Sequence, residues 1–186
     1  MATLSTLEIY ALARRARFSP DRDEALIATA IALAESGGDP HAHNDNPKTR
    51  DDSFGLWQIN MFEELGPDRR RQFGIASNDE LFDPVTNARA ARAVFNAANA
   101  RFSPWSTFNR KDHEIHLSPA RQAAQQFEAS GLAAGIEQED DVTEAELRKV
   151  MIEELTRVLD SQARRVQGIV SWERYLQVLL EAARKD

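Results

Sequence analysis

The chain of 186 residues contains no cysteine. Disulfides, thiolate metal sites and cysteine nucleophiles are therefore excluded, and zinc is left with His, Asp or Glu as ligands. No long hydrophobic run is present. The longest, Ala25 to Ala34, is broken by Thr29 and is too short to span a bilayer, so membrane insertion is not expected. The N-terminal stretch MATLSTLEIYALARR has no basic segment followed by an apolar one, so a Sec signal is not expected either. Positive charge is outnumbered: 23 Lys and Arg face 30 Asp and Glu, for a net charge of -7. That balance argues against a nucleic-acid partner, which needs a basic surface. Proline stops at Pro119 and phenylalanine at Phe127, and beyond residue 136 the only aromatics are Trp172 and Tyr175. No internal repeat or low-complexity segment occurs.

The length fits one compact domain with a small appendage, large enough to bury a core without staples. The acidic link Glu137-Gln138-Glu139-Asp140-Asp141 marks the expected boundary between a domain of residues 1–136 and a helical C-terminal extension of residues 137–186. A solvated loop inside one continuous domain reads the same way. In the extension, Leu147, Met151, Leu155 and Val158 form one apolar stripe, and Leu176, Leu179, Leu180 and Ala183 another. Such stripes dock on their own domain or offer an assembly surface.

Helix signals dominate, so an all-α fold with at most a small β element is expected. Ser5 and Glu8 form a capping box. Ser19-Pro20 reads as an N-cap with proline at the first helical position, opening a helix that runs to about Ser36 and stops at Gly37-Gly38. Phe62 to Gln72 reads as a short helix interrupted by Gly66-Pro67. Asp83-Pro84 opens another, with Ala88, Ala91, Phe95 and Ala98 on one face. Ser118-Pro119 starts the next. Asp51 to Asn60 is the one plausible extended stretch, and His41 to Pro47 reads as a polar loop.

Glu35 is the leading candidate for chemistry. It shares a helix face with Ile27, Ala28 and Ile31, so an acid ends a core-facing row. It also lies in the last helical turn, at the negative end of the helix dipole. Desolvation and the dipole both disfavour its ionised form, which raises its pKa and suits a general acid. An exposed helix-end acid, or one paired with an arginine, would occupy the same place in the sequence. The turn Gly37-Gly38-Asp39-Pro40 admits close approach of a substrate or is an ordinary helix stop. His41, His43 and Asp45 could begin a metal site, but no further ligand follows at usual spacing. In Ser53-Phe54-Gly55-Leu56-Trp57-Gln58-Ile59-Asn60, the amides of Gln58 and Asn60 suit sugar hydroxyls and acetamido groups. Trp57 or Phe54 suits stacking on sugar faces, while Phe54, Leu56 and Ile59 also suit a core. Phe102 to Phe108, with Trp105 at its centre, is a second aromatic and polar loop, either a cleft wall or core closure.

In order along the chain, Glu35-Ser36-Gly37-Gly38-Asp39-Pro40, Asn44, Asn46, Asp52-Ser53-Phe54-Gly55-Leu56-Trp57-Gln58-Ile59-Asn60, Leu81-Phe82-Asp83-Pro84, Asn87-Ala88 and Phe102-Ser103-Pro104-Trp105-Ser106 resemble the lysozyme-like superfamily. The resemblance is to the soluble-lytic-transglycosylase type of domain found in many phage tail and cell-wall-degrading proteins, and it covers roughly residues 20–110. It implies an α-rich lysozyme fold that cleaves the β-1,4 bond between N-acetylmuramic acid and N-acetylglucosamine in peptidoglycan. It implies Glu35 as the essential glutamate, followed by Ser36, and the stretch Gly55 to Ile59 as cleft lining; the substrate-binding candidates are Ser36, Ser53, Phe54, Gly55, Trp57, Gln58, Asn60 and Trp105. In lytic transglycosylases of this type one glutamate protonates the leaving oxygen and then serves as base for the substrate's own C6 hydroxyl, giving a 1,6-anhydro product; hydrolytic relatives use water.

Two departures stand out. The position of the second carboxylate of animal lysozymes falls on Ser53; Asp52 is adjacent, and Asp45 and Asp51 precede it, and any of them could position water, with Asp52 and Asp45 the first candidates. The frequent Tyr-Asn-Ala-Gly segment is represented only by Phe95-Asn96-Ala97-Ala98. The expected partner is the peptidoglycan glycan strand, with no cofactor and no metal. A phage tail or baseplate protein is a further expected partner of the C-terminal helices. The expected location is on a virion or released to the cell wall. The competing reading, of another class, is a structural or glycan-binding component that kept the fold without the activity.

Overall fold

The computed structural model describes residues 3–46 and 48–131. Helix α1 (Thr6–Arg15) begins as expected: Ser5 Oγ accepts the Glu8 N–H, and the Ser5 N–H donates to Glu8 Oε2 at 2.7 Å. Helix α2 (Glu24–Ser36) is the central element and packs against α1, against α6 (Leu117–Ser130) and against the turn Asp112–His116. Its alanines 25, 28, 30 and 32 and Ile31 are fully buried. So rich an apolar surface has to be covered on several sides, and the neighbouring helices do that.

α2 does not start at Pro20. Residues 20–23 close a turn in which the Asp23 N–H donates to the Pro20 carbonyl, and Asp23 is left-handed at φ 55°. The cause is Glu24. Its carboxylate accepts the Ser19 N–H at 3.0 Å and the Arg92 guanidinium at 2.7 Å. A partner 68 residues away fixes the helix start, and local propensity has no view of it.

Three short antiparallel strands follow in the order β1 (His43–Asn46), β2 (Asp51–Phe54), β3 (Ile59–Asn60). Strand β1 corrects the reading of His41 to Pro47 as a loop throughout. His-Asn-Asp-Asn lacks the branched and aromatic residues that favour strands, but β2 supplies the pairing, with Asp45 opposite Asp52 and Asn46 opposite Asp51. The stretch 51–60 is extended only at its ends, because residues 55–58 turn the chain back on itself.

Helix α3 (Leu65–Phe73) is not interrupted by Gly66-Pro67. Both lie in its first turn, where a missing N–H costs nothing. Asp83 caps α4 (Pro84–Ala97) by accepting the Thr86 N–H at 2.7 Å. A one-turn helix α5 (Ser106–Asn109) precedes the turn Asp112–His116, and α6 starts at Leu117, one residue before the expected Ser118. Among the described residues the fold is mainly α with one small sheet, as the resemblance implies. The expected boundary at 136/137 and both apolar stripes of the extension lie outside the described residues.

Asn87 joins the sheet to the helices. Fully buried, it donates to the Phe54 and Leu81 carbonyls at 2.9 Å each and accepts the Trp57 N–H at 2.9 Å. Gly55 sits against it at φ +72°, and a Cβ there would fall 2.4 Å from the Asn87 amide nitrogen. No side chain fits. The glycine of this motif serves packing inside the protein rather than approach of a ligand.

Candidate active site

The last turn of α2 delivers Glu35 to a cleft of about 230 Å³. The sheet side of the cleft is Asn44, Asp51, Ser53 and Gln58 to Asn60. Arg69 comes from α3, Val94 from α4, and Pro104 to Ser106 from the loop leading into α5. The central helix and the sheet thus meet across a groove, and Pro104 to Ser106 form a wall of it.

Glu35 is half-buried. Its Oε1 accepts the Thr107 hydroxyl at 2.6 Å. Burial is the strongest influence on its carboxyl and pushes the pKa up. Hydrogen bonds from the Thr107 side chain and main chain, and the charge of Arg110, pull it down; the charge of Asp51 adds to the rise. The net direction is up, so the acid keeps its proton to higher pH than a free glutamate.

Trp105 is almost fully buried and lines the cleft at its edge, its indole N–H donating to the Trp57 carbonyl at 2.8 Å. Gln58 gives both bonds of its amide N–H₂ to the chain, to the Ala42 and Gly55 carbonyls at 2.9 Å each. Its Oε1 has no partner among the described residues. Gln58 also holds φ 45°, a conformation that costs a non-glycine residue about 1 kcal/mol and is tolerated only where its surroundings enforce it. Asn60 borders the cleft with its amide already spent. It donates to the Arg50 carbonyl and accepts the Asp52 and Phe62 N–H groups. Ser53 is buried and faces the cleft from β2.

Other expected positions lie elsewhere. Trp57 is 1% exposed and its indole N–H donates to the Ala28 carbonyl at 2.9 Å, so it is a core residue and has no face for a sugar. Phe54 stacks on His43 with centroids 4.4 Å apart and packs on Phe82, also inside. Ser36 Oγ donates to the Ala32 carbonyl and accepts the Gly38 N–H, closing the helix end. Gly38 abuts Leu4, where a Cβ would lie 2.9 Å from the carbonyl oxygen, so the Gly37-Gly38 turn admits the chain's own N-terminal segment. Asp52 pairs with His43 Nε2 at 2.8 Å, and Asp45 is exposed on β1; neither borders the cleft.

The second carboxylate that does border it is Asp51, which accepts the Thr49 hydroxyl at 2.6 Å. Thr107 and Arg69 are the residues that sequence reasoning missed. Thr107 stood within the second aromatic loop, whereas Arg69, one of three consecutive arginines, carried no signal. Among the described residues no group of three or more His, Asp or Glu side chains is placed to hold a metal ion, and no helix is long and apolar enough to cross a membrane.

A family model described as a lysozyme-like domain matches residues 10–107, from α1 to Thr107. No curated protein and no solved structure matches the chain. The matched stretch is more than half of the 186 residues and contains every residue named above as lining the cleft. A lysozyme-like domain points to a peptidoglycan-active glycosidase or transglycosylase in general. With its mainly helical fold and this match, the chain belongs to the lysozyme-like domain family.

Proposed function

We propose that the protein cleaves the β-1,4 bond between N-acetylmuramic acid and N-acetylglucosamine as a lytic transglycosylase, with Glu35 as its single acid and base. The observation that carries this reading is the Glu35 carboxyl: it borders the cleft, burial raises its pKa, and Thr107 holds it through its side chain and main chain. The proton of the neutral acid goes to the glycosidic oxygen as the bond to C1 of the muramoyl sugar breaks. The carboxylate so formed takes the proton of the C6 hydroxyl as that oxygen bonds to C1. Glu35 ends protonated, no water is consumed, and the product is a 1,6-anhydro sugar.

Asp51 supports a second reading. It is another cleft carboxylate and can orient a water, which would make the reaction hydrolytic. Mass spectrometry of digested sacculi separates the two: anhydro-muramoyl ends support the transglycosylase, and reducing ends the hydrolase. Glycan binding with neither product would leave the non-enzymatic reading. The cell wall is the proposed place of work, since the polymer lies there; carriage on a phage virion, as expected above, belongs to the same proposal.

A further inference from the structure

Arg69 is the one cationic side chain among the described residues lining the cleft. It is half-buried, yet no described carboxylate lies within 4 Å of it. Its neighbours are occupied: Arg70 donates to Asn78 and Arg71 pairs with Asp68. Arg69 makes one bond, from a terminal N–H to the Asn60 carbonyl at the end of β3. That bond fixes the guanidinium at the sheet end of the cleft and leaves the other donors of a five-donor group to spend. None of those nitrogens is sealed from solvent without a partner. Burial lowers the Arg69 pKa, so a cation has been drawn into the cleft wall with no described carboxylate at ion-pair distance. Asp51 in the same cleft repels an acidic ligand, which makes an opposing cation necessary for one to enter.

We infer that Arg69 is a specificity-determining residue that holds a carboxyl oxygen of the lactyl group on the muramoyl sugar, so that the cleft takes muramoyl glycan over a plain N-acetylglucosamine polymer. The inference rests on the reading of the cleft as a peptidoglycan site. The acetamido groups, common to both polymers, are neutral and suit the Gln58 oxygen. The lactyl group is what the muramoyl sugar adds, and its planar pair of oxygens matches a guanidinium fork. In glycan stripped of peptide stems it is a free carboxylate; in stem-bearing glycan it is an amide carbonyl.

The test is calorimetric binding to the full chain carrying Glu35→Gln, which holds substrate without turning it over. Three probes are used: stem-free muramoyl glycan, stem-bearing glycan, and a chitooligosaccharide of equal length. Adding Arg69→Met is expected to weaken the stem-free glycan about 10- to 100-fold, the range of one to two charge-assisted bonds. It should weaken the stem-bearing glycan less and leave the chitooligosaccharide within about twofold. Arg69→Lys, which keeps the charge and loses the fork, should fall between. Equal weakening of all three probes marks a residue that only holds the sheet, and overturns the inference. So does no change with any probe, or a loss confined to stem-bearing glycan, which moves the contact to the peptide. Wild-type digestion of sacculi is scored in parallel. A chain that binds through Arg69 yet releases no product fails the catalytic reading alone.

Discussion

The Thr107 hydroxyl donates to Glu35 Oε1 at 2.6 Å, tying the last turn of α2 to α5 across 72 residues of sequence. A donor aimed at a carboxylate favours the ionised form. In Thr107→Val that donor is lost, so the Glu35 pKa rises further. The alkaline limb of kcat/KM then moves to higher pH, while kcat falls about 10-fold because the carboxyl keeps only its main-chain bond to Thr107 and is held less firmly. Thr107→Ser keeps the hydroxyl and should restore both. A pH-rate profile of the three proteins on purified cell walls checks this; an unmoved limb in the valine variant contradicts it.

Asp51 acts on the same carboxyl with the opposite sign. Its charge raises the Glu35 pKa, so Asp51→Asn should shift the alkaline limb to lower pH. If Glu35 is the single acid and base, the variant still makes anhydro product, with activity within about 10-fold of wild type. Asp52→Asn breaks only a partly exposed pair with His43, worth at most about 1 kcal/mol, and should leave turnover unchanged.

The raised pKa of Glu35 also bears on stability. A carboxyl whose pKa is higher folded than unfolded costs nothing while both states are protonated. It loses stability as pH rises from the unfolded value through the folded one, because over that span only the unfolded chain releases the proton. Glu35→Gln removes that cost. Its Tm should match wild type in acid, exceed it increasingly as pH rises through the folded pKa of Glu35, and keep a constant lead above it. A Tm difference that does not vary with pH would show that Glu35 is not desolvated.

Asn87→Ala strips two donors and one acceptor from buried main-chain partners at once. Unmet buried groups cost about 1–3 kcal/mol each and act as a network. We expect a loss of about 3 kcal/mol by urea unfolding, with the slope unchanged. A loss below about 1 kcal/mol would mean that the sheet is held some other way.

What the sequence made legible follows from the range of each force. The Ser5–Glu8 box, the stop at Gly37 and the cap at Asp83 are contacts within four residues, and each stands where local rules put it. Glu35 was legible because helical periodicity places an acid at the end of an apolar row. The start of α2, set by Arg92, and strand β1, set by pairing with β2, depend on distant partners. The site divides the same way. Gln58 and Trp105 lay in composition patterns that suit a cleft, but so did Trp57. Only its indole bond to Ala28 assigns it to the core. Arg69 reaches the cleft, and Thr107 reaches Glu35, through tertiary placement alone.

The central claim concerns one proton on one carboxyl, and it is tested by product release from purified sacculi with Glu35→Gln at matched protein concentration. The variant should fold with wild-type circular dichroism and release product at least about 100-fold more slowly, the contribution of a placed general acid. A folded Glu35→Gln protein that clears cell walls at the wild-type rate would contradict the assignment of Glu35 and the cleft chemistry built on it.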